Sequence, residues 1–465
     1  MVEEVNEEKR VSEQKKQQED DKQKVVQDRV EFYQDLATND DVGEIFQRVV
    51  EFGRQLTHSS SCSLARKMDG GEETPSSISF LVSTQPFMNG KSLTTSLNEE
   101  EEPSPISFDL WKPSIPGPVN EEDPEAEVAM VCPSHLHVPN AMRNDRTSFF
   151  KIPKLGGLLV VPVTYGSILH PEGVKENDPP PEAEEGEGEE DGEKEEEEAP
   201  KEPEGEWEKY VKNPIDVSFA IYFDTLGLGR EFTGEEIENA LGLARAVEEA
   251  LLAYEDRLFK QEVDRLKTLN PEEWEEAVGA LKEKLGSARE EGENAGNEAV
   301  EALGEEAEEM EKEIAQLTAI LSVSSTLLSD NGNIALQFGE HRLPPTSSVL
   351  SALAISCLAG GVPSSEIRDA GGVVDWAKLR TKLGDVASSA KEMDPAEPAV
   401  VSKEESVGSL LQELSEVDGE AMGEENPVGA LFLRWTQAYL GLRKLFITKN
   451  AGEEGSEPIE EICEE

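Results

Sequence analysis

Cys132, His135 and His137 fall close together in the run CPSHLHVPNAMRND. A thiol and two imidazoles are ligands that zinc accepts, and a cysteine beside a histidine can act as a nucleophile. A fourth ligand is missing, however, and no acid–base partner stands at a definable spacing, so a loop following a strand is the expected structure. Asp224 and Thr225 close the run FAIYF, where a short polar pair either caps a turn or touches a ligand. Capping is the reading preferred here. Gly227 and Gly229 in GLGREF belong to no phosphate loop, because the stretch has neither a GK ending followed by Ser or Thr nor the GxGxxG spacing. Glutamate is abundant, but no calcium loop of the DxDxDG kind occurs, and acidic runs are ordinarily solvated. No nucleophile elbow, HExxH or kinase signature is present. The expectation is a protein that is not an enzyme and uses no cofactor or metal.

The charge narrows the partners. The chain has 465 residues, 100 of them acidic and 43 basic, for a formal net charge of −57. Nucleic-acid backbones and anionic membranes are both met by Lys and Arg, so neither is expected as the main partner. Hydrophobic residues make up 36%, which predicts folded modules separated by acidic stretches outside any core. Cys62, Cys132, Cys357 and Cys463 form no CxxC pair, which fits a reducing compartment. With no apolar leader at the N-terminus and no apolar run long enough to span a bilayer, a cytoplasmic protein is expected.

Two apolar, β-branched runs stand out as strands: GGLLVVPVTY, Gly156 to Tyr165, and DVSFAIYFDTLG, Asp216 to Gly227. Residues 172–208 between them are Glu- and Pro-rich low-complexity sequence, predicted to be a disordered loop swelling one hairpin. SISFLVST, Ser77 to Thr84, and EAEVAMVC, Glu125 to Cys132, are further strand candidates; 98–124 is expected as loop and 145–152 as a short helix or turn. Helical spacing joins Phe32, Leu36, Ile45, Phe46, Val49, Val50, Phe52 and Leu56 around the cap signal TNDD, and recurs from Glu235 to Leu266. It restarts at Asn270-Pro271 and runs to Leu328, weakened by Gly286, Gly292, Gly296 and Gly304. Further helices are expected at Ser347 to Leu358, Asp375 to Leu383, Val407 to Val417 and Pro427 to Phe446. The fold class is therefore α+β. A charged segment (1–31) leads into a sheet domain (32–258), followed by a helical or coiled-coil segment (259–329), a small all-helical module (330–450) and an acidic tail (451–465).

In order and apolar pattern, residues 32–258 resemble a GAF domain. The likeness rests on the paired helices around Asp35 to Leu56, on HVPNAMRNDRTSFF, on the strands GGLLVVPV and SFAIYFDT, and on a helix opening at Phe232-Thr233-Gly234-Glu235-Glu236. It implies an antiparallel sheet flanked by helices, used either to bind a small molecule such as a cyclic nucleotide or to pack and dimerise. The NKFDE pattern of cyclic-nucleotide-binding members is absent. A second region, about 317–446, is similar to the dynein heavy-chain stalk tip through Leu343-Pro344-Pro345, Val349-Leu350, Asp375-Trp376, Lys378-Leu379, Leu411, Val417-Asp418 and Leu433-Arg434-Trp435. That likeness implies docking on microtubule or axonemal proteins through Arg342, Lys378, Arg380, Arg434, Arg443 and Lys444, and a setting in a cilium or flagellum. Either the GAF-like domain or a coiled coil could carry a homodimer. The leading expectation is a cytoskeleton-associated scaffold, and the alternative is a small-molecule-sensing regulator.

Overall fold

The computed structural model describes residues 24, 26–71, 74–96, 103–116, 130–169, 174–176, 210–268, 271–304, 307–396, 404–415 and 417–453. The architecture is mixed α+β, an antiparallel six-stranded sheet with many helices. The chain divides into two compact units. The first comprises Met1–Ser167 with Ile215–Arg257, and the second Ile168–Pro214 with Leu258–Glu465.

In the first unit, a helix over 26–38 (α1) stops at the predicted TNDD turn. There the Asn39 side chain accepts from the Asp41 N–H (2.8 Å), and the Asp41 carboxylate accepts from the N–H groups of Gly43 and Glu44 (2.8 and 3.1 Å). Asp41 thus caps the next helix, α2 (Val42–Leu56), by satisfying donors that have no partner inside the helix. Helix α2 buries Ile45, Phe46, Val49, Val50 and Gly53, the stripe that its period places on one face. Gly53 is where the helix backbone comes nearest the sheet. A Cβ there would lie 2.8 Å from Leu243 Cδ2 and 3.2 Å from Cys62 Sγ.

The sheet contains β1 (Ser61–Met68), β2 (Ser77–Ser83), β3 (Ser92–Thr94), β6 (Leu136–Val138), β7 (Leu158–Ser167) and β10 (Ile215–Asp224), in the order β3-β2-β1-β10-β7-β6. All neighbours are antiparallel, and β7 pairs with β10 continuously from Leu158↔Asp224 to Ser167↔Ile215. The two runs separated by the acidic tract are therefore adjacent central strands. Of the tract itself only Val174–Glu176 (β8) is described, paired with Tyr210–Lys212 (β9); the rest of the predicted disordered loop lies outside the described residues. The strand expected over 125–132 is present as Met130–Val131 (β5), paired with Ile115–Pro116 (β4), while 125–129 lie outside the described residues. Residues 145–152 form turns and no helix.

Side chains alternate across the sheet, and both faces are buried. Cys62, Leu64, Leu159, Val161, Val163, Phe219, Ile221 and Phe223 are buried at alternate positions, the register that carries Cys62 and Phe223 toward α2. A further helix, α3 (Gly234–Thr268), which belongs to this unit as far as Arg257, opens with a capping box, since Thr233 N–H donates to Glu236 (2.9 Å) and Glu236 N–H to Thr233 Oγ1 (3.3 Å). It is tied to the far end of β7 by the buried Glu255, which accepts from Tyr165 O–H (2.9 Å) and Ser167 O–H (2.8 Å). The opposite face carries its own apolar layer of Ala65, Ile78, Phe80, Val160, Ala220 and Tyr222 under Phe108 and Leu110.

The second unit is helical. The long run expected from Pro271 to Leu328 is two helices, α4 (Pro271–Leu303) and α5 (Glu309–Asp330). Gly292 faces Ile320, Gly296 faces Gln316 and Lys284 reaches Asn331 (3.3 Å), so the pair runs antiparallel. Three of the four glycines sit inside α4, and the chain turns at the fourth, Gly304, whose φ of 83° lies where only glycine is unstrained. Then follow α6 (Gly332–Phe338), α7 (Ser347–Ala359), α8 (Trp376–Leu379), α9 (Leu383–Ser389), α10 (Glu404–Ser415), α11 (Gly419–Glu425) and α12 (Pro427–Glu453). Leu281 of α4, Leu321 and Leu328 of α5, most of α7 and Phe432 and Trp435 of α12 share one core, so the segments read separately as 259–329 and 330–450 meet in it. Among the described residues no helix is long and apolar enough to cross a membrane.

Replacing Gly53 by Val should lower the stability of the sheet unit by about 1–3 kcal/mol, because the added methyl groups meet Leu243 and Cys62 in a packed core. Gly279, in α4, has open space around its Cβ position, and Gly279→Ala should be neutral or stabilising by up to about 1 kcal/mol. Urea midpoints of the two variants check the contrast.

Candidate functional site

The six basic residues that the stalk-tip likeness singles out fall into two groups. Arg342, Lys378 and Arg380 meet around α8. Asp375 caps that helix by accepting from Lys378 N–H (3.3 Å), and Trp376 packs beneath it against Phe338 with ring centres 5.9 Å apart. Trp376 Nε1–H donates to His341 O (3.0 Å), and Arg380 Nη1–H to Gly339 O (3.0 Å), so the Asp-Trp turn fastens 338–342 to 375–380. Lys378 is exposed and donates to Arg368 O (3.0 Å); Arg342 is exposed as well.

The other three lie on α12. Two of them are internal ties rather than surface contacts. Arg443 is 7% exposed and donates to the carbonyls of Pro395 and Ala396 (both 3.1 Å). Arg434 donates through Nη2 to Ala288 O (3.3 Å) and Arg289 O (3.0 Å) of α4, and burial lowers its pKa. The physical reason is that a long cationic side chain on a central helix reaches carbonyls of its neighbours before it reaches water. Lys444 alone of this group is exposed.

Beneath the first group lies a charge cluster that sequence reading missed. Glu262 has a side chain only 5% exposed. It accepts from Arg265 through Nη2 (2.7 Å) and Nε (3.1 Å) and from the backbone N–H of Arg342 (2.8 Å), and it contacts His341 Nδ1 at 2.9 Å. Burial opposes its charge, but the hydrogen bonds from His341 and Arg265 outweigh that and hold the carboxyl down at about 2. Arg265 is one turn away on the same helix, but His341 and Arg342 lie 79 and 80 residues away, a separation at which no sequence spacing signals a pair.

In the sheet unit, Asp224 and Thr225 cap turns, as read from sequence. Asp224 accepts from Leu226 N–H (3.0 Å) and from Ser61 O–H, and burial raises its pKa. Thr225 accepts from Gly157 N–H (2.8 Å) and donates to Arg230 O. Arg230 in turn grips Glu236 through both terminal nitrogens (2.8 and 2.9 Å) and donates to His58 O (2.8 Å). Cys132 is exposed; His135 Nδ1 sits 3.1 Å from Ser134 Oγ; His137 packs edge-on to Phe232, and burial lowers its pKa. Among the described residues no group of three or more His, Cys, Asp or Glu is placed to hold a metal.

The face of the sheet opposite α2 is covered by segments expected to be loop. A 3₁₀ turn, Ile106–Trp111, inserts Phe108 and Leu110, and Phe150 meets Phe80 edge-on with ring centres 5.7 Å apart. Arg146 clamps this cover by a two-pronged pair with Asp109 (2.7 and 2.8 Å) and by donating to Ser104 O (2.8 Å). The apolar cluster within ISFDLW was the available signal, masked by the Pro- and Glu-rich stretch around it. Among the described residues, the buried polar atoms of this unit without a partner include Trp111 Nε1, His137 Nε2, Asn140 Oδ1 and Thr147 Oγ1.

The Glu262 cluster makes stability pH-dependent with a definite sign. Its folded pKa lies below the unfolded one, so its contribution is fully present above about 4.5 and is lost as the pH falls toward about 2. Glu262→Gln should remove on the order of 2 kcal/mol at neutral pH and flatten the acid limb between those values. Urea midpoints measured from pH 2 to 7 check both effects.

Neither a protein-family model nor a curated protein matches this chain.

Proposed function

We propose that this protein is a non-enzymatic scaffold that docks on cytoskeletal proteins, microtubule or axonemal, and works in the cytoplasm or in a cilium or flagellum. The sheet unit, read as GAF-like, serves packing and partner contact. The helical unit, read as similar to the dynein stalk tip, supplies the docking surface. One observation carries the preference for scaffold over sensor: Phe80, Phe108, Leu110 and Tyr222 pack on the sheet face where a small molecule would have to lie, under the Arg146–Asp109 clamp.

The charge distribution supports the docking side. Residues 341–382 hold five basic and three acidic residues within a chain of net charge −57. The acids there are engaged internally: Asp369 accepts from Gly371 and Val373 N–H, Asp375 caps α8, and Glu366 pairs with Lys382. Lys378 pairs with Asp375 at 3.7 Å, and Arg342 is exposed with no ion pair among the described residues, so the patch can meet an acidic protein surface chiefly through Arg342.

Co-sedimentation with microtubules tests the reading. The chain should pellet at low salt and be released at higher salt, and Arg342→Glu/Lys378→Glu should cut the bound fraction several-fold with unchanged thermal stability. Failure to pellet at low salt removes direct tubulin contact.

A second reading, a cyclic-nucleotide-type sensor, is favoured by unpartnered polar atoms in the sheet unit, Trp111 Nε1, His137 Nε2, Asn140 Oδ1 and Thr147 Oγ1 among them, since a small polar ligand would satisfy such groups. Millimolar cyclic AMP or cyclic GMP should then raise the melting temperature, as any ligand selective for the folded state does; no shift removes the sensor.

A further inference from the structure

The loops at the Leu158/Asp224 end of the β7–β10 pair expose an unusual surface. Lys151, Ile152, Pro153, Lys154 and Leu155 are exposed in succession, Ile152 by 86% and Leu155 by 59%. Leu228, 53% exposed, lies alongside, because Gly227 and Gly229 both donate N–H bonds to Leu155 O (2.8 and 3.3 Å). Met142, 47% exposed, adjoins them, since it follows Ala141, whose N–H donates to Gly156 O (2.9 Å). The loop is held at both ends: Phe150 packs on Phe80, Lys151 Nζ lies 3.4 Å from the centre of the Phe87 ring, and Gly157 is bonded to Thr225. Four aliphatic side chains are therefore held toward water on a fixed backbone, a cost that folding alone does not explain.

The charge of the surface points to what covers it. Residues 141–155 carry four basic residues and one acidic residue in a chain with more than twice as many acids as bases. Arg146 is turned inward to Asp109, but Arg143, Lys151 and Lys154 are exposed, and Arg143 and Lys154 make no ion pair among the described residues. We propose that this loop end is a docking surface for a glutamate-rich segment of a partner protein. Aliphatic residues of that segment lie on Met142, Ile152, Leu155 and Leu228, and its carboxylates meet Arg143, Lys151 and Lys154. The proposal rests on the scaffold reading only in requiring a protein partner, and it uses a different surface from α8.

Fluorescence anisotropy of the full chain with a labelled (Glu-Glu-Ile) repeat peptide tests it. The peptide should bind, and replacing its Glu by Gln or its Ile by Ser should each weaken binding about tenfold. Ile152→Ser/Leu155→Ser and Arg143→Glu/Lys154→Glu should do the same with unchanged melting temperature, whereas Arg342→Glu/Lys378→Glu should leave peptide binding intact. Absence of binding, equal binding by the loop variants, or indifference to the peptide's Ile overturns the proposal. A chain ending at Lys449, or one lacking residues 177–209, that binds about tenfold more tightly would put the protein's own acidic tail or insert on the surface and overturn the assignment to a partner. Loss of microtubule pelleting with peptide binding retained would sink the α8 reading and leave this one standing.

Discussion

The antiparallel ladder between β7 and β10 is the constraint on which the sheet unit depends. Its strands are central, so every other strand is added to one side or the other of this pair. Because opposite residues share a face, Leu159 with Phe223, Val161 with Ile221 and Val163 with Phe219 form one apolar layer, and Val160 with Tyr222 forms the other. A slip of one residue would exchange the two layers, so the long acidic interruption cannot disturb the register without exposing a whole face. Loop closure grows only slowly with length, whereas the ladder and its two layers are independent of what lies between the strands. A long hydrophilic insert is therefore compatible with an intact core.

Buried and exposed charges are handled differently. The interior carboxylates are all engaged: Glu255 holds β7 to α3, Glu236 closes a capping box and grips Arg230, and Glu262 gathers Arg265, His341 and the Arg342 N–H. Buried arginines are spent in the same way, on helix and loop carbonyls. Among the described residues, the α8 turn and the loop end near Leu155 present exposed positive charge. Local potential depends on which charges neutralise one another at short range, so a chain of net charge −57 can still present cationic surfaces.

Much of the fold was legible in the sequence, and the legible parts share a cause. Capping at Asp41, at Thr233/Glu236 and at Asp375 depends on residues a few positions apart, and the β-branched runs from Leu158 and Asp216 announce strands by composition. The helical period from Glu235 announced α3, whereas which of its leucines is fully buried, Leu243 rather than Leu241, depends on packing. The α4–α5 hairpin was legible only as one glycine-weakened run, since glycine marks both a close helix approach and a turn. The insertion of Phe108 and Leu110 under the sheet was missed because polar flanks outweighed two apolar residues. Of the six candidate contacts, sequence supplied the charge of each but not its direction, and Arg443 and Arg434 point inward.

What the sequence determined by itself was therefore local: helix starts, strand identity, the α+β class, and the acidic excess that disfavours polyanionic partners. These follow from interactions within a few residues and from composition. The pairing of the two strands across the acidic tract was also read from sequence, as one hairpin, whereas tertiary structure alone decided that Glu262 meets residues 79 and 80 positions away, which arginines face water, and that Ile152, Leu155 and Leu228 are left outside the core. Exposure and long-range pairing belong to the packed chain, because each depends on which surfaces have already been covered by segments distant in sequence.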